Sequence, residues 1–301
     1  MLVDAPFPHA GELAALATAC CWTASALAFE AAARRVGSVA LNLIRLVPAL
    51  VLLTIYSWLV RGVAVPVDAT AHAWLWLSVS GLVGFTLGDL CLFRAFVRLG
   101  ARVSMLLMAT VPPLTTLFGL LLMGEVLSAR QLLGMALTVA GVASVVLERR
   151  PDAAGTLHRL PLDGILLGLG GAVGQALGLV LSKVGMGSYD AFAATQIRVL
   201  AGIVGMAAVY TVIGWWPRVR NALGDRPAMA ATGIGAFFGP FLGVSLSLVA
   251  IKYAFAGVAA TLMALVPVLI IPASVLLFGE KVSRLAVLGA LVAVTGSALL
   301  F

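Results

Sequence analysis

The chain is a succession of apolar runs broken at short intervals by polar residues. Ten runs are long enough to cross a bilayer as helices: 12–31, 38–60, 73–94, 103–123, 129–147, 162–183, 189–213, 229–251, 257–278 and 283–301. A helix rises 1.5 Å per residue, so roughly 20 apolar residues cover a hydrocarbon core of about 30 Å. Connections are short except at 148–161, which holds Glu148, Arg149, Arg150, Pro151, Asp152, His158 and Arg159. That segment is a polar linker, too short to be a domain.

The pattern also repeats. Leu106-Leu107-Met108-Ala109-Thr110-Val111-Pro112 leads to Gly124-Glu125 and Ser128. At an offset of 155 residues, Leu262-Met263-Ala264 and Val266-Pro267 lead to Gly279-Glu280 and Ser283. The same gapless offset carries Gly84 onto Gly239, Gly88 onto Gly243, Gly134 onto Gly289 and Gly141 onto Gly296. Nearer the front of each copy the offset is 153, and Gly11 falls on Gly164, Trp22 on Gln175 and Arg45 on Arg198. A fixed period of this kind marks a duplicated unit. Five spans per copy is an odd number, which turns the second copy upside down. The expected fold is therefore an all-α polytopic membrane protein. Ten transmembrane helices form two inverted five-helix repeats, 12–147 and 163–301, joined by the linker 148–161. Such architectures place a solute site near the midplane between the repeats.

Composition agrees. Hydrophobic residues make up 62% and charged residues 10%, with a mean hydropathy of +1.13; a soluble domain carries about 25% charged residues. The net charge of +7 does not point to nucleic acid, because the basic residues stand in ones, twos and threes between apolar runs. Of the 19 Lys and Arg, 13 fall in one set of connections, four (Arg61, Arg130, Lys183, Lys252) in the other, and Arg45 and Arg198 inside spans. The positive-inside rule then puts both termini outside a cytoplasmic (inner) membrane, with a bacterial source expected. Cys20, Cys21 and Cys91 lie in apolar runs and read as inert thiols. His9, His72 and His158 fall in or beside connections, so no metal site is expected, and no cofactor.

The residues Pro112, Gly124, Glu125, Ser128, Gly134 and Gly141, with Pro267, Gly279, Glu280, Ser283, Gly289 and Gly296, resemble the EamA domain of the drug/metabolite transporter superfamily. The resemblance covers both copies. It implies ten helices, a central cavity lined mainly by helices 1, 3, 4, 6, 8 and 9, and export or exchange of small metabolites. It does not choose among amino acids, nucleotide sugars, sugar phosphates and other solutes.

Several positions are candidates for chemistry. Glu125 and Glu280 follow Gly124 and Gly279 in turns; each suits the positive end of the next helix, with Ser128 or Ser283 as its cap. They read as structural turns rather than proton carriers. Pro112, Pro240 and Pro267 are expected to kink their helices. Glycines at spacings of four, such as Gly84 and Gly88, Gly174 and Gly178, and Gly239 and Gly243, provide faces for close helix contact.

Asp89 is the one carboxylate clearly inside a span. A buried isolated charge is costly, so Asp89 is expected to pair with Arg45, to couple protons or meet a substrate amine, or to reach the interface. Its counterpart in the second copy is Val244, so Arg198 keeps the cation without the anion. Arg198 either snorkels to the interface or attracts an anionic group of the solute. Trp22, Ser25, Gln175 and Ser245, with Met108 and Met263 as adaptable apolar walls, complete the expected cavity lining.

No phosphate-binding Gly-rich loop ending in Lys-Ser or Lys-Thr suggests ATP use, and no nucleophile constellation suggests an enzyme. The expectation is a secondary transporter of a small solute, such as an amino acid, working by alternating access. Its partners are that solute and membrane lipid, with proton coupling or exchange as the energy source; monomer and homodimer remain alternatives. Efflux of lipophilic cations and a membrane enzyme acting on lipid head groups are the rivals.

Overall fold

The computed structural model describes residues 6–147, 161–271 and 284–301, and every regular element among them is a helix. Seven stretches are long and apolar enough to cross a membrane: Ala10–Val36, Ser38–Arg61, Ala71–Leu99, Ser104–Met123, Leu162–Met186, Ala191–Ile213 and Arg226–Tyr253. Three shorter apolar helices, Ala129–Val145, Ala256–Ile271 and Val287–Ala298, fall where the remaining spans are expected. Most of the linker, and the second turn with Gly279, Glu280 and Ser283, lie outside the described residues.

In chain order the first copy contains α1 (Ala10–Val36), α2 (Ser38–Ile44), α3 (Leu46–Arg61), α4 (Ala71–Gly81), α5 (Asp89–Met108), α6 (Val111–Met123) and α7 (Ala129–Leu147). The second contains α8 (Leu162–Met186), α9 (Ala191–Ile213), α10 (Trp216–Leu223), α11 (Arg226–Ala236), α12 (Val244–Tyr253), α13 (Ala256–Met263) and α14 (Arg284–Ala298). Two π-helical segments, Leu82–Gly88 and Phe237–Gly243, join α4 to α5 and α11 to α12. They are equivalent at the 155-residue offset. The short helix α10 was not expected. Its Val219 and Ala222 pack beneath Ala40, Met206 and Tyr210, which buries an apolar edge of the connection between two spans.

The prolines act differently from expectation. Helix breaks fall at Ala109-Thr110 and at Ala264-Leu265, again equivalent positions. Pro112 and Pro267 lie just after these breaks, in the first turn of the restarting helix, where a missing N–H goes unnoticed. They start helices rather than bend them. Pro240 does lie inside a helix, in the second π segment. Phe85 takes its place in the first copy, so the widened turn does not depend on proline.

Glycines set how closely the copies approach. A Cβ on Gly174 would come within 2.6 Å of the Gly88 Cα, and one on Gly178 within 3.1 Å of the Gly84 Cα. Along α8, from Gly185 to Gly164, the facing residues run Leu77, Gly84, Gly88, Leu92 and Leu99. Leu107, in the next apolar stretch Ser104–Met123, lies against Gly168. The contact of α7 with α14 is reciprocal. A Cβ on Gly134 would meet the Gly296 carbonyl at 2.8 Å, and one on Gly289 the Gly141 carbonyl at 2.9 Å. Gly134 pairs with Gly296 and Gly141 with Gly289, so the two helices run antiparallel. Thr138 and its equivalent Ala293 meet between these pairs, with the Thr138 hydroxyl donating to the Ala293 carbonyl at 3.4 Å.

These contacts leave no room for a methyl group. A Cβ on Gly141 would lie 2.4 Å from the Ala293 nitrogen, a backbone atom that cannot swing away. Gly141→Ala is expected to destabilise the protein by on the order of 1–3 kcal/mol, the usual range for overpacking. Gly233→Ala, where a Cβ meets nothing within 4 Å, should leave stability unchanged or slightly raised. Thermal denaturation in detergent compares the two.

Candidate functional site

Between the copies lies a cavity of about 360 Å3. Its wall is built largely from residues that the duplication relates. Trp22 and Gln175, Arg45 and Arg198, Phe85 and Pro240, Asp89 and Val244, Met108 and Met263, and Val111 and Val266 all line it. Trp22 and Ser25 come from α1, Asp89 and Met108 from α5, Gln175 from α8, Arg198 from α9 and Met263 from the end of α13. Ser245 does not line it. Ser247 does, and two residues further along a helix lie some 200° around its axis. Ser245 is fully buried elsewhere, its hydroxyl without a hydrogen-bond partner among the described residues.

The polar centre is Asp89, 5% exposed. The Arg45 guanidinium donates to its Oδ2 and closes an ion pair across the first copy. Gln175 donates from Nε2 to Oδ1 at 2.9 Å, reaching over from the second copy. Arg45 is held in turn by Asn42, whose Oδ1 accepts from Nε at 3.1 Å, and lies over the Phe29 ring at 5.7 Å. Both carboxylate oxygens are thus satisfied, and Asp89 does not reach the interface.

Arg198 is placed otherwise. It is also 5% exposed, so it does not snorkel. Its guanidinium lies over Phe85, 5.1 Å from the ring centroid, and its Nε and Nη1 are buried without hydrogen-bond partners among the described residues. Two guanidiniums face one carboxylate among the described lining residues, which leaves one net positive charge.

A second polar assembly closes one end of the bundle. Glu125 was expected to serve the helix that follows it; instead its side chain crosses to the other copy. Its Oε1 pairs with Lys183 Nζ at 2.5 Å, and its Oε2 accepts from the Ala256 N–H at 2.7 Å, in the first turn of α13. Lys183 also donates to the Ala254 carbonyl at 2.6 Å. These two side chains are 9% and 10% exposed. The following helix is capped by Ser128 alone. Gln131 N–H donates to its Oγ at 3.3 Å and Gln131 Oε1 accepts from its N–H at 3.0 Å, a capping box. Gly124, at φ +67°, supplies the left-handed turn before it.

Near the same end, Arg61 pairs with Asp68 and donates to the Tyr189 hydroxyl at 3.1 Å. Gln196 joins Thr54, Ser57 and the Ala64 carbonyl across the copies. Sequence reasoning missed Gln196; a Gln in the middle of an apolar span was the available signal.

The EamA-like transporter family model matches residues 9–147 and 162–301. The chain belongs to the EamA-like transporter family. One solved crystal structure covers 96% of this chain and 95% of its own, with a TM-score of 0.76 at 20% identity, a likeness that speaks for the fold alone. No curated protein matches the chain. The family consists of membrane transporters rather than enzymes, and the match accounts for the duplication and the apolar helices together.

Removing one member of a buried ion pair strands the other, which costs about 3–5 kcal/mol. Asp89→Ala and Arg45→Ala are each expected to lower the thermal midpoint strongly. The double substitution should lose less than the two single losses combined. Additive losses in that double-mutant cycle would show that the pair does not interact.

Proposed function

We propose that this protein is a secondary active transporter that carries a small metabolite, such as an amino acid, through the cavity by alternating access. The observation that carries the reading is the make-up of the cavity wall: nine pairs of repeat-equivalent residues, Ala26 and Leu179, Met105 and Ala260, and Ala109 and Ala264 among them, converge on one space between the copies. A site on the pseudo-symmetry axis of two inverted five-helix repeats can be offered to either side when one repeat rocks against the other. The antiparallel, reciprocal contact of α7 with α14 supports the inversion.

Alternation needs closures that open. Glu125 and Lys183 join the first copy to the second at one end and are nearly out of solvent. At the other end Arg35 donates to both Asp225 oxygens, at 2.9 and 3.0 Å, while remaining about half exposed. The buried tie is the closed door. By the positive-inside count it faces the outside of the inner membrane, with both termini. Export or exchange, driven by a proton gradient or by a counter-solute, is the direction we favour.

The rival of lipophilic-cation efflux meets a wall whose charge is already positive. The membrane-enzyme rival finds in the cavity no Ser, Cys or Lys beside a base.

Reconstituted protein preloaded with an amino acid is expected to accumulate the labelled compound by counterflow, and a panel extended to lipophilic cations and lipid phosphates separates the rivals. Exchange of nothing in the panel would sink the transport reading. Glu125→Gln tests the door. In a background freed of Cys20, Cys21 and Cys91, a cysteine at Ser25 should react several-fold faster with an impermeant thiol reagent added at the Glu125 end. An unchanged rate would place the closure elsewhere.

A further inference from the structure

The duplication should have given each arginine a carboxylate. Arg45 meets Asp89 from its own copy, and the equivalent position opposite Arg198 holds Val244. Both arginines and both partner positions line the one cavity. Arg198 is nine-tenths buried, and its Nε and Nη1 meet no acceptor among the described residues. Asp89 acts on Arg198 through its charge alone: its Oδ2 takes Arg45, its Oδ1 takes Gln175, and neither Nε nor Nη1 of Arg198 hydrogen-bonds to it. A buried guanidinium without an acceptor is costly, and such a group persists where something else completes it.

We propose that Arg198 is the binding residue for the carboxylate of the transported solute, which completes the charge pair that Val244 leaves open. This rests on the transport reading above and narrows its substrate to an organic carboxylate.

Three further observations fit this chemistry. The guanidinium is planar and offers parallel N–H donors to the two oxygens of a carboxylate, and its stacking on Phe85 fixes the plane. The cavity carries one net positive charge, which a single carboxylate balances. Trp22, Met108 and Met263 provide the apolar remainder of the surface, so the solute joins a carboxylate to an apolar body.

The test uses the full chain in proteoliposomes and four solutes of one carbon skeleton: 4-methylvalerate, L-leucine, L-leucinamide and isoamylamine. Tetraphenylphosphonium and isoamyl phosphate are added as further arms. Counterflow of the two carboxylate-bearing compounds is expected to exceed that of the amide and the amine at least tenfold. Arg198→Gln should abolish that preference by reducing carboxylate exchange at least tenfold, and Arg198→Lys should restore part of it. Because Arg198 closes no direct ion pair with Asp89, Arg198→Gln is expected to melt close to the parent protein, which separates lost binding from lost folding.

The proposal is overturned if the amide or amine exchanges as fast as the carboxylates, if isoamyl phosphate is preferred to them, or if Arg198→Gln carries carboxylates at the parent rate. Exchange of tetraphenylphosphonium alone would overturn it and leave transport standing. Exchange of none of the six would overturn both readings together.

Discussion

An ionised group in a hydrocarbon surround must find a partner at its own depth or face a cavity that water or a solute can enter. Asp89 answers that constraint, and the centre of the molecule is arranged around the answer. Arg45 reaches it from the start of the second span and Gln175 from the sixth. For both to arrive, α8 must lie against the helix that carries Asp89. Glycines make that approach possible: Gly88 and Gly174 meet backbone to backbone just beside the carboxylate and the amide. The polar cluster and the glycine contact are two sides of one packing solution.

The duplication explains where the cavity is, and divergence explains what it can do. Equivalent residues of the two copies face each other across the cavity, so the cavity collects matched pairs. Where the pairs stayed alike, as with Met108 and Met263, the wall is apolar and pliable. Where they parted, at Asp89 and Val244 and at Trp22 and Gln175, the wall gains a direction. A solute in such a space meets one end that is neutralised and one that is not. In the proposed mechanism the repeated scaffold supplies the symmetry and the diverged pairs supply the selectivity.

Much of this was legible in the sequence, for stated reasons. The spans follow from hydropathy, because lipid demands it along every helix. The repeat follows from Gly and Pro at one offset, and the Asp89–Arg45 pair from comparing depths in neighbouring spans. The partners of Glu125 were not legible. Its tie to the Ala256 N–H joins residues 131 apart in sequence, and no local pattern encodes such a meeting. Ser245 was misplaced for a different reason. It was chosen for its polarity in mid-span, which does not say which way a side chain faces, and Ser247, two residues on, is the one that lines the cavity. The proline breaks were legible in position only; that Pro112 and Pro267 start helices depends on the turn that precedes them.

The two buried ion pairs also differ in what they permit. Asp89 and Arg45 sit at the solute cavity, where separating them would leave two charges in a space of about 360 Å3. Glu125 and Lys183 sit at an end of the bundle, where separation hands both charges to water, and hydration recovers most of what the pair supplied. In the proposed mechanism a buried bond at the end of the bundle can therefore hold a door and still release it. The tie between Arg35 and Asp225 at the opposite end already has water around it, and the arginine holds the Asp225 carboxyl below the usual carboxylate range. It costs less to open. The same kind of bond thus differs in what it costs to open according to how far its groups are withdrawn from solvent.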